Sequence, residues 1–488
     1  MAATVLCAPR IWADEFPRPA NTKEGKWGYA NSVGVFAIEP RFDYAYPFLR
    51  NGLAKVTVAC QQGFIDLKGK FVVEPQYVDI EDRTSTGLLR VRVAKNQFDY
   101  RGSKFGFISP AGQVLIEPNF DWAELFSDNG LCVVKRNVDG QSFRAGYIDA
   151  KGDYAIQPSF EDAKSFAPNG LAAVKIDGKW GFINSKGELA IPAKYEAVPP
   201  SPGAGFDAYG LAAVKLDGTW RFIDSNGHQV GPSNFVAVRD FDGYGLAAVY
   251  IETIYRERKT GVINTKGDYV FKPQFDRVRE FVNGFAIVQS GDKWGYIDTK
   301  GNIVVPPQFD TYGKDFDRNG VAEVYTQKLG EPLQSAFINA TGQFIVRPKQ
   351  YDYVGQFDPL GLAIVRKGKE YGYVDTLGAV VLGWFEGAHP FAPLGLAAVK
   401  RGGKFGFIDR QGRFAIPPQF EDTYQFGGNG FAFVKFGGKW GYIDRTGSLV
   451  IPAKFDLAST FHSDGLADVV LDGQKGYIDQ QGRFSPLQ

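Results

Sequence analysis

A chain of 488 residues is several times longer than one hydrophobic core needs, so several domains or an open-ended repeat are expected. Aromatic residues at 15% and 59 glycines point to short strands and tight turns rather than long helices. The 55 basic and 54 acidic side chains leave a net charge of +1, which excludes an overall field for nucleic acid or an anionic membrane, and no apolar run approaches the ~18–20 residues of a membrane helix.

The chain opens with a lead-in of residues 1–22. Residues 2–8 are mildly apolar, but they are too short for a signal-peptide core and lack a basic start. The expected location is therefore cytoplasmic by default, with an exported form open if a signal has been removed. The three cysteines, Cys7, Cys60 and Cys132, are too sparse to staple a chain of this size and read as buried or incidental thiols.

From residue 23 onward one pattern recurs. Residues 284–310 read GFAIVQSGDKWGYIDTKGNIVVPPQFD, and residues 430–456 read GFAFVKFGGKWGYIDRTGSLVIPAKFD. Aligning the position after the motif tryptophan gives Gly28, Gly63, Gly106, Gly146, Gly181, Arg221, Gly261, Gly295, Ala336, Gly372, Gly406, Gly441 and Gly476, which define repeats 1 to 13. The array divides into residues 23–196 (repeats 1–5), a Pro/Gly-rich insertion at 197–205, and residues 206–488 (repeats 6–13). No stretch remains for a separate catalytic domain.

The K-W-G-[YF]-I-[DN] core, intact at 179–184, 293–298 and 439–444, resembles the bacterial WG (KWG) repeat family. The resemblance implies an interaction module. Tryptophan itself stands only at Trp27, Trp180, Trp220, Trp294 and Trp440, with Phe105, Tyr371 or Phe405 replacing it elsewhere, so the position reads as packing.

Each repeat holds three extended runs, of the types GLAAVK, WGYID and VVPPQFD. Asp177-Gly178, Asp217-Gly218 and Gly437-Gly438 are hairpin turn formers between runs one and two. Between runs two and three, Asp, Asn or Ser precedes a glycine by three positions, as in Asp298 with Gly301, which predicts a capped turn. Proline in run three places it at the sheet edge.

The expected fold is all-β: about 13 three-stranded antiparallel meanders, each burying a face against its neighbours. Propeller-like blades, in two rings, and an open β-superhelix both fit, with propeller blades favoured by small inner and proline-bearing outer strands. The first repeat lacks an evident run one, and the last stops inside run three.

Two acidic series invite a chemical reading. The one ending run two, from Asp66 to Asp479, is filled by Asn or Ser in five repeats, which suits a turn cap better than a catalytic pair. The one following the outer-strand aromatic (Asp121, Glu161, Glu196, Asp276, Asp310, Glu421, Asp456) could line a calcium-binding rim, but it reads more readily as solvated charges beginning a loop. His228, His389 and His462 are widely separated and lack metal-ligand spacing. No nucleophile elbow, phosphate loop or dinucleotide motif is present. No cofactor, no metal and no catalysis are expected. The sequon Asn339-Ala340-Thr341 lies in a turn.

Insertions are where a repeat array individualises its binding. Four hairpins between runs one and two are enlarged, at 94–104, 135–144, 250–259 and 326–335. The first three combine basic residues with aromatics, and Lys95, Tyr100, Arg101, Lys135, Arg136, Arg144, Tyr255, Arg256, Arg258 and Lys259 are the candidate partner-binding residues. Their composition suits an acidic protein; simple solvation of long hairpins explains it equally. The leading expectation is a non-catalytic scaffold for a protein partner. A glycan- or cell-envelope-binding protein is the alternative, discriminated by exposure of Trp12, Trp122 and Trp384.

Overall fold

The structure, a computed structural model, describes residues 16–22, 25–30, 36–49, 51–81, 87–94, 102–138, 142–200, 205–327, 333–462 and 465–486. These residues form thirteen small antiparallel sheets, one for each motif position, and no helix. Two compact units, Met1–Arg277 and Val278–Gln488, divide the chain.

Repeat 5 shows how the runs become strands. Run one forms Ala172–Ile176, run two Lys179–Ile183 and run three Leu189–Tyr195. Asp177 and Gly178 take φ of 47° and 73° between the first two, the twist a two-residue hairpin requires. Run three is the edge strand, as its prolines demand.

Most sheets gain a strand that the sequence did not announce. Ten of the thirteen are four-stranded, because a short segment following each outer strand pairs with the next run one. In repeat 5 this lead strand is Asp162–Ala163, paired to Lys175 and Val174. Single bridges, Ala197 with Lys215 and Thr311 with Tyr325, take its place in repeats 6 and 9. Two residues are too few to show an alternating pattern, so the expected three-stranded meander is corrected by one short strand. Run one is accordingly the second strand, inside which the lead strand lies. Repeat 1 also has its run one: Arg18–Asn21, assigned by sequence to the lead-in, pairs with Trp27–Ala30.

Successive repeats pack face to face within each compact unit. Side chains alternate across a strand, so Ala172 and Val174 meet Tyr147 and Phe160 of repeat 4, while Ala173, with Phe182 and Ile191, meets Ala212 and Val214 of repeat 6. Alanine fits because both faces of run one are covered. Val198 and Phe206, which flank the 197–205 insertion, join that second core.

Two glycines set the spacing. Outer strands are irregular where they pass run two, and a Cβ on Gly181 would lie 2.7 Å from the carbonyl oxygen of Ile191 and the nitrogen of Ala193. The turn glycine Gly187 has φ +85°, and its Cβ would sit 3.2 Å from Ile156 of the preceding repeat. That glycine therefore serves both the turn and the seam between repeats.

Candidate functional site

The acidic residues ending run two cap turns. Asp298 Oδ1 accepts from the amides of Lys300 (2.9 Å) and Asn302 (2.8 Å). Asn184 Oδ1 does the same for Lys186 (3.0 Å) and Glu188 (3.1 Å), and Ser109 Oγ accepts from Gln113 at 3.2 Å. Carboxylate, amide and hydroxyl fill one role, which is turn geometry rather than acid–base chemistry.

The second acidic series ties repeats together. Lys26 Nζ lies 2.6 Å from Asp43 Oδ1, and Asp43 Oδ2 accepts from the Ala59 amide at 2.6 Å in the next hairpin. Lys439, Asp456 and the Gly473 amide repeat this at 2.5 and 3.0 Å; Lys293, Asp310 and the Gln327 amide repeat it at 2.5 and 2.8 Å. Glutamates also reach the turn: Glu386 accepts from the amides of Gly402 (2.8 Å) and Gly403 (2.9 Å). Each carboxylate thus pins the hairpin that follows it. These residues are engaged, not loosely solvated, and both oxygens of Asp43, Asp310 and Asp456 already have donors. The Lys26 ammonium, with the Ala59 amide second, holds the Asp43 carboxyl below the usual carboxylate range. Lys439 and then Gly473 do so for Asp456. Sequence reasoning missed the tie, although a signal existed: motif lysine and acidic partner are 17 residues apart in repeats 1, 3, 7, 8 and 12.

Buried tyrosines add a third tie. Tyr147 donates its hydroxyl to the Lys164 carbonyl at 2.8 Å, Tyr442 to Ser459 at 2.8 Å and Tyr373 to His389 at 2.6 Å, in each case across to the next repeat's lead segment. Burial pushes these phenols up, so they stay protonated donors. The shared residues are thereby spent on scaffold.

Individuality lies in the hairpins. Lys95, Tyr100 and Arg101 lie outside the described residues, as do Trp12, 139–141 and 328–332. Lys135 is 2.7 Å from Asp162 of the following repeat, and Arg136 stands directly opposite Arg144 in the strand register, beside the exposed Phe143.

The 250–259 hairpin is the clearest projection. Its strands, Leu246–Glu252 and Arg258–Asn264, run seven residues each against five in repeat 5, lifting the tip outward. Lys259 is tied to Asp276 at 2.6 Å, and Arg258 pairs in register with Glu252 while its guanidinium lies 5.7 Å from the Tyr250 ring. Arg256, at φ 59°, donates its amide to the Thr253 carbonyl at 2.9 Å and closes the turn. The tip raises Ile254, 90% exposed, and Tyr255, 79% exposed. Ile254 was not among the sequence candidates; an apolar pair in the middle of a charged hairpin was its signal.

The structure therefore gathers Ile254, Tyr255 and Arg256 at one tip and diverts Lys135 and Lys259 to inter-repeat pairing. Trp122 and Trp384 are exposed by 42% and 37%, and the Trp122 indole donates to Glu124 at 3.2 Å. The histidines are dispersed: His462 meets Asp468 at 2.7 Å, and His389 lies between the rings of Phe405 and Tyr424, where burial pushes its pKa down.

Solved structures that the chain matches include a eukaryotic initiation factor, 15% identical over 64% of this chain and 95% of that one with a TM-score of 0.28. The extracellular domain of a one-component system from B. thetaiotaomicron is 10% identical over 96% of this chain and 76% of its own, at 0.22. PorZ, a surface component of the type-IX secretion system of Porphyromonas gingivalis, is 10% identical over 88% and 73%, at 0.20. At such identities and TM-scores these likenesses carry no argument about function. Comparison with curated proteins finds no match. The WG containing repeat matches residues 27–58, 63–96, 105–137, 146–180, 180–220, 261–294, 294–326, 336–371, 371–405, 405–440 and 440–474, with 221–260 the longest gap between matches. With matches over more than half its length, an all-β array of blade-like sheets and the motif residues in the shared packing, the chain belongs to the WG-repeat family.

Proposed function

We infer that this protein is a non-catalytic scaffold that binds a protein partner through the hairpins between runs one and two, foremost the tip at 250–259. The observation that carries the reading is the pair Ile254 and Tyr255, held out on a hairpin whose own strands are fully paired. An apolar anchor beside an aromatic ring, presented on a rigid element, is the kind of residue pair that dominates interface energetics. Arg256 adds a positive charge at the same tip, which suits a pocket with an acidic rim. The acidic residues of the repeat support a non-catalytic reading because they are committed to turn amides and lysines.

The test is an affinity capture from lysate of the source organism with wild-type protein and two variants, Ile254→Ser/Tyr255→Ser and Arg256→Glu/Arg258→Glu. One stoichiometric protein lost from the first variant, and weakened in the second, is the expected result. Retention of every captured protein by both variants would remove the tip from the interface.

A glycan-binding reading is favoured by one specific observation, the exposure of Trp122 with its indole held by Glu124. An aromatic face beside hydrogen-bonding groups can stack on a sugar ring. Quenching of tryptophan fluorescence by oligosaccharide, lost in Trp122→Ala, would transfer the function to that surface.

A further inference from the structure

Among the described residues every repeat ends in an outer strand with one unpaired edge, and twelve of the thirteen carry proline on that strand or within two residues after it, from Pro40 in repeat 1 to Pro486 in repeat 13. A free strand edge is a template for pairing with another chain, and proline or charge on it blocks that pairing. Repeat 10 is the exception. Its outer strand, Val380–Phe385, reads VVLGWF, and neither proline nor charge occurs between Asp375 and Glu386. Gly383 stands two residues before the closing phenylalanine, where Pro418 stands in repeat 11.

The same strand has lost part of its irregularity. In repeat 5, Trp180 pairs Tyr195 and Phe182 pairs Ile191, so the outer strand carries two surplus residues; in repeat 10, Tyr371 pairs Phe385 and Tyr373 pairs Leu382, leaving one. Bulges are a second device that protects an edge, and this one is reduced. The inner side pairs with Glu370–Asp375, and among the described residues nothing pairs with the outer side. Val380, Val381 and Trp384 are exposed, as is Leu377 in the preceding turn.

We propose that the outer strand of repeat 10 is a self-association edge, at which a second copy of this chain adds its own Val380–Phe385 antiparallel across a two-fold axis. Such an interface is isologous: one strand supplies both sides. A register centred on Leu382 sets Val380 of one copy against Trp384 of the other, a pairing of β-branched and aromatic residues that favours sheets. Charge permits it. The molecule carries +1 in total and the strand carries none, so identical copies meet no electrostatic barrier either at long range or at contact. One short strand pair is small beside the ~1,600 Å² of a standard interface, so the dimer is weak and concentration-dependent. This goes beyond the partner-binding reading and stands or falls independently of it, because the 250–259 tip takes no part.

The experiment is sedimentation velocity on the full chain over a wide concentration range, with hydrogen exchange read at low and high concentration. Wild type is expected to move from 53.8 kDa toward twice that mass, with residues 380–385 gaining protection as it does so. Gly383→Pro restores the residue of the other repeats, at a position where a Cβ has nothing within 4 Å and φ lies outside the left-handed region. That variant is expected to remain monomeric throughout. Val381→Lys is a second variant that blocks the edge by charge without touching the backbone, and Val450→Lys, at an equally exposed position on the proline-bearing strand of repeat 12, is expected to dimerise as wild type does. A wild type that stays monomeric, or a dimer that survives both Gly383→Pro and Val381→Lys, would overturn the proposal.

Discussion

Repeats 5 and 6 are neighbours, and the second breaks two rules the first obeys. Repeat 5 has Gly181 under an outer strand that passes close above it, and Ile191 plugged against the turn glycine Gly227 of the next repeat. Repeat 6 has Arg221 and Gly231 at those positions, yet it builds the same sheet. The two changes belong together. In repeat 6 the irregularity is confined to one step between Trp220 and Phe222, and the Arg221 guanidinium turns back to the Leu216 carbonyl at 2.7 Å and the Thr219 hydroxyl at 3.2 Å. Gly231 in turn lets the Gly267 turn approach backbone to backbone, where a Cβ on Gly231 would lie 2.6 Å from the Gly267 oxygen. The motif glycine is thus demanded by the outer strand crossing over it rather than by run two itself.

The largest effect that could break this comparison is expected from Gly181→Val. Its side chain has only backbone to push against, so a loss near the upper end of ~1–3 kcal/mol is expected in urea unfolding. Arg221→Gly should cost less than about 1 kcal/mol, the worth of its hydrogen bonds. Equal losses would mean that glycine is required by run two after all.

Next in size are the turn glycines. Gly267→Ala and Gly187→Ala both place a side chain at positive φ, at a cost of roughly 1–2 kcal/mol each. Gly267→Ala should lose more, because its Cβ meets the Gly231 backbone whereas Gly187 faces the movable side chain of Ile156. Thermal denaturation of the pair tests the ordering.

Tyr147→Phe should cost about 1 kcal/mol by orphaning the Lys164 carbonyl, without loss of fold, since Phe182 already occupies the equivalent place in repeat 5. A Phe182→Tyr change that restored nothing in repeat 5 would sharpen the point that the next lead segment must supply the acceptor.

The smallest effect concerns pH. Asp43 and Asp456 are held below their unfolded values, so their contribution is present above the ordinary aspartate pKa of ~3.9 and is lost as pH falls through the folded value. Melting temperature should therefore decline below about pH 4, and Asp456→Asn should start lower but decline less. The effect is small because these pairs are exposed to water.

The repeat was legible because its residues obey local rules. Asp177-Gly178 favours a tight hairpin turn, proline must sit at an edge, and the small apolar run GLAAVK suits a crowded inner strand. Less legible were the lead strands, which involve two residues, and the acidic ties, which join residues seventeen apart through a sheet that had first to exist. Within the enlarged hairpins, composition pointed to basic surfaces, but Lys135 and Lys259 face carboxylates of the scaffold and leave Ile254, Tyr255 and Arg256 at the tip.

By itself the sequence determined that the protein is an array of thirteen small β-sheets, because turn chemistry and side-chain alternation act within a few residues. Only the tertiary structure decided which charges are paired and which tyrosines bridge repeats. Those properties depend on what a neighbouring repeat places against each side chain, and a single repeat's residues do not carry that information.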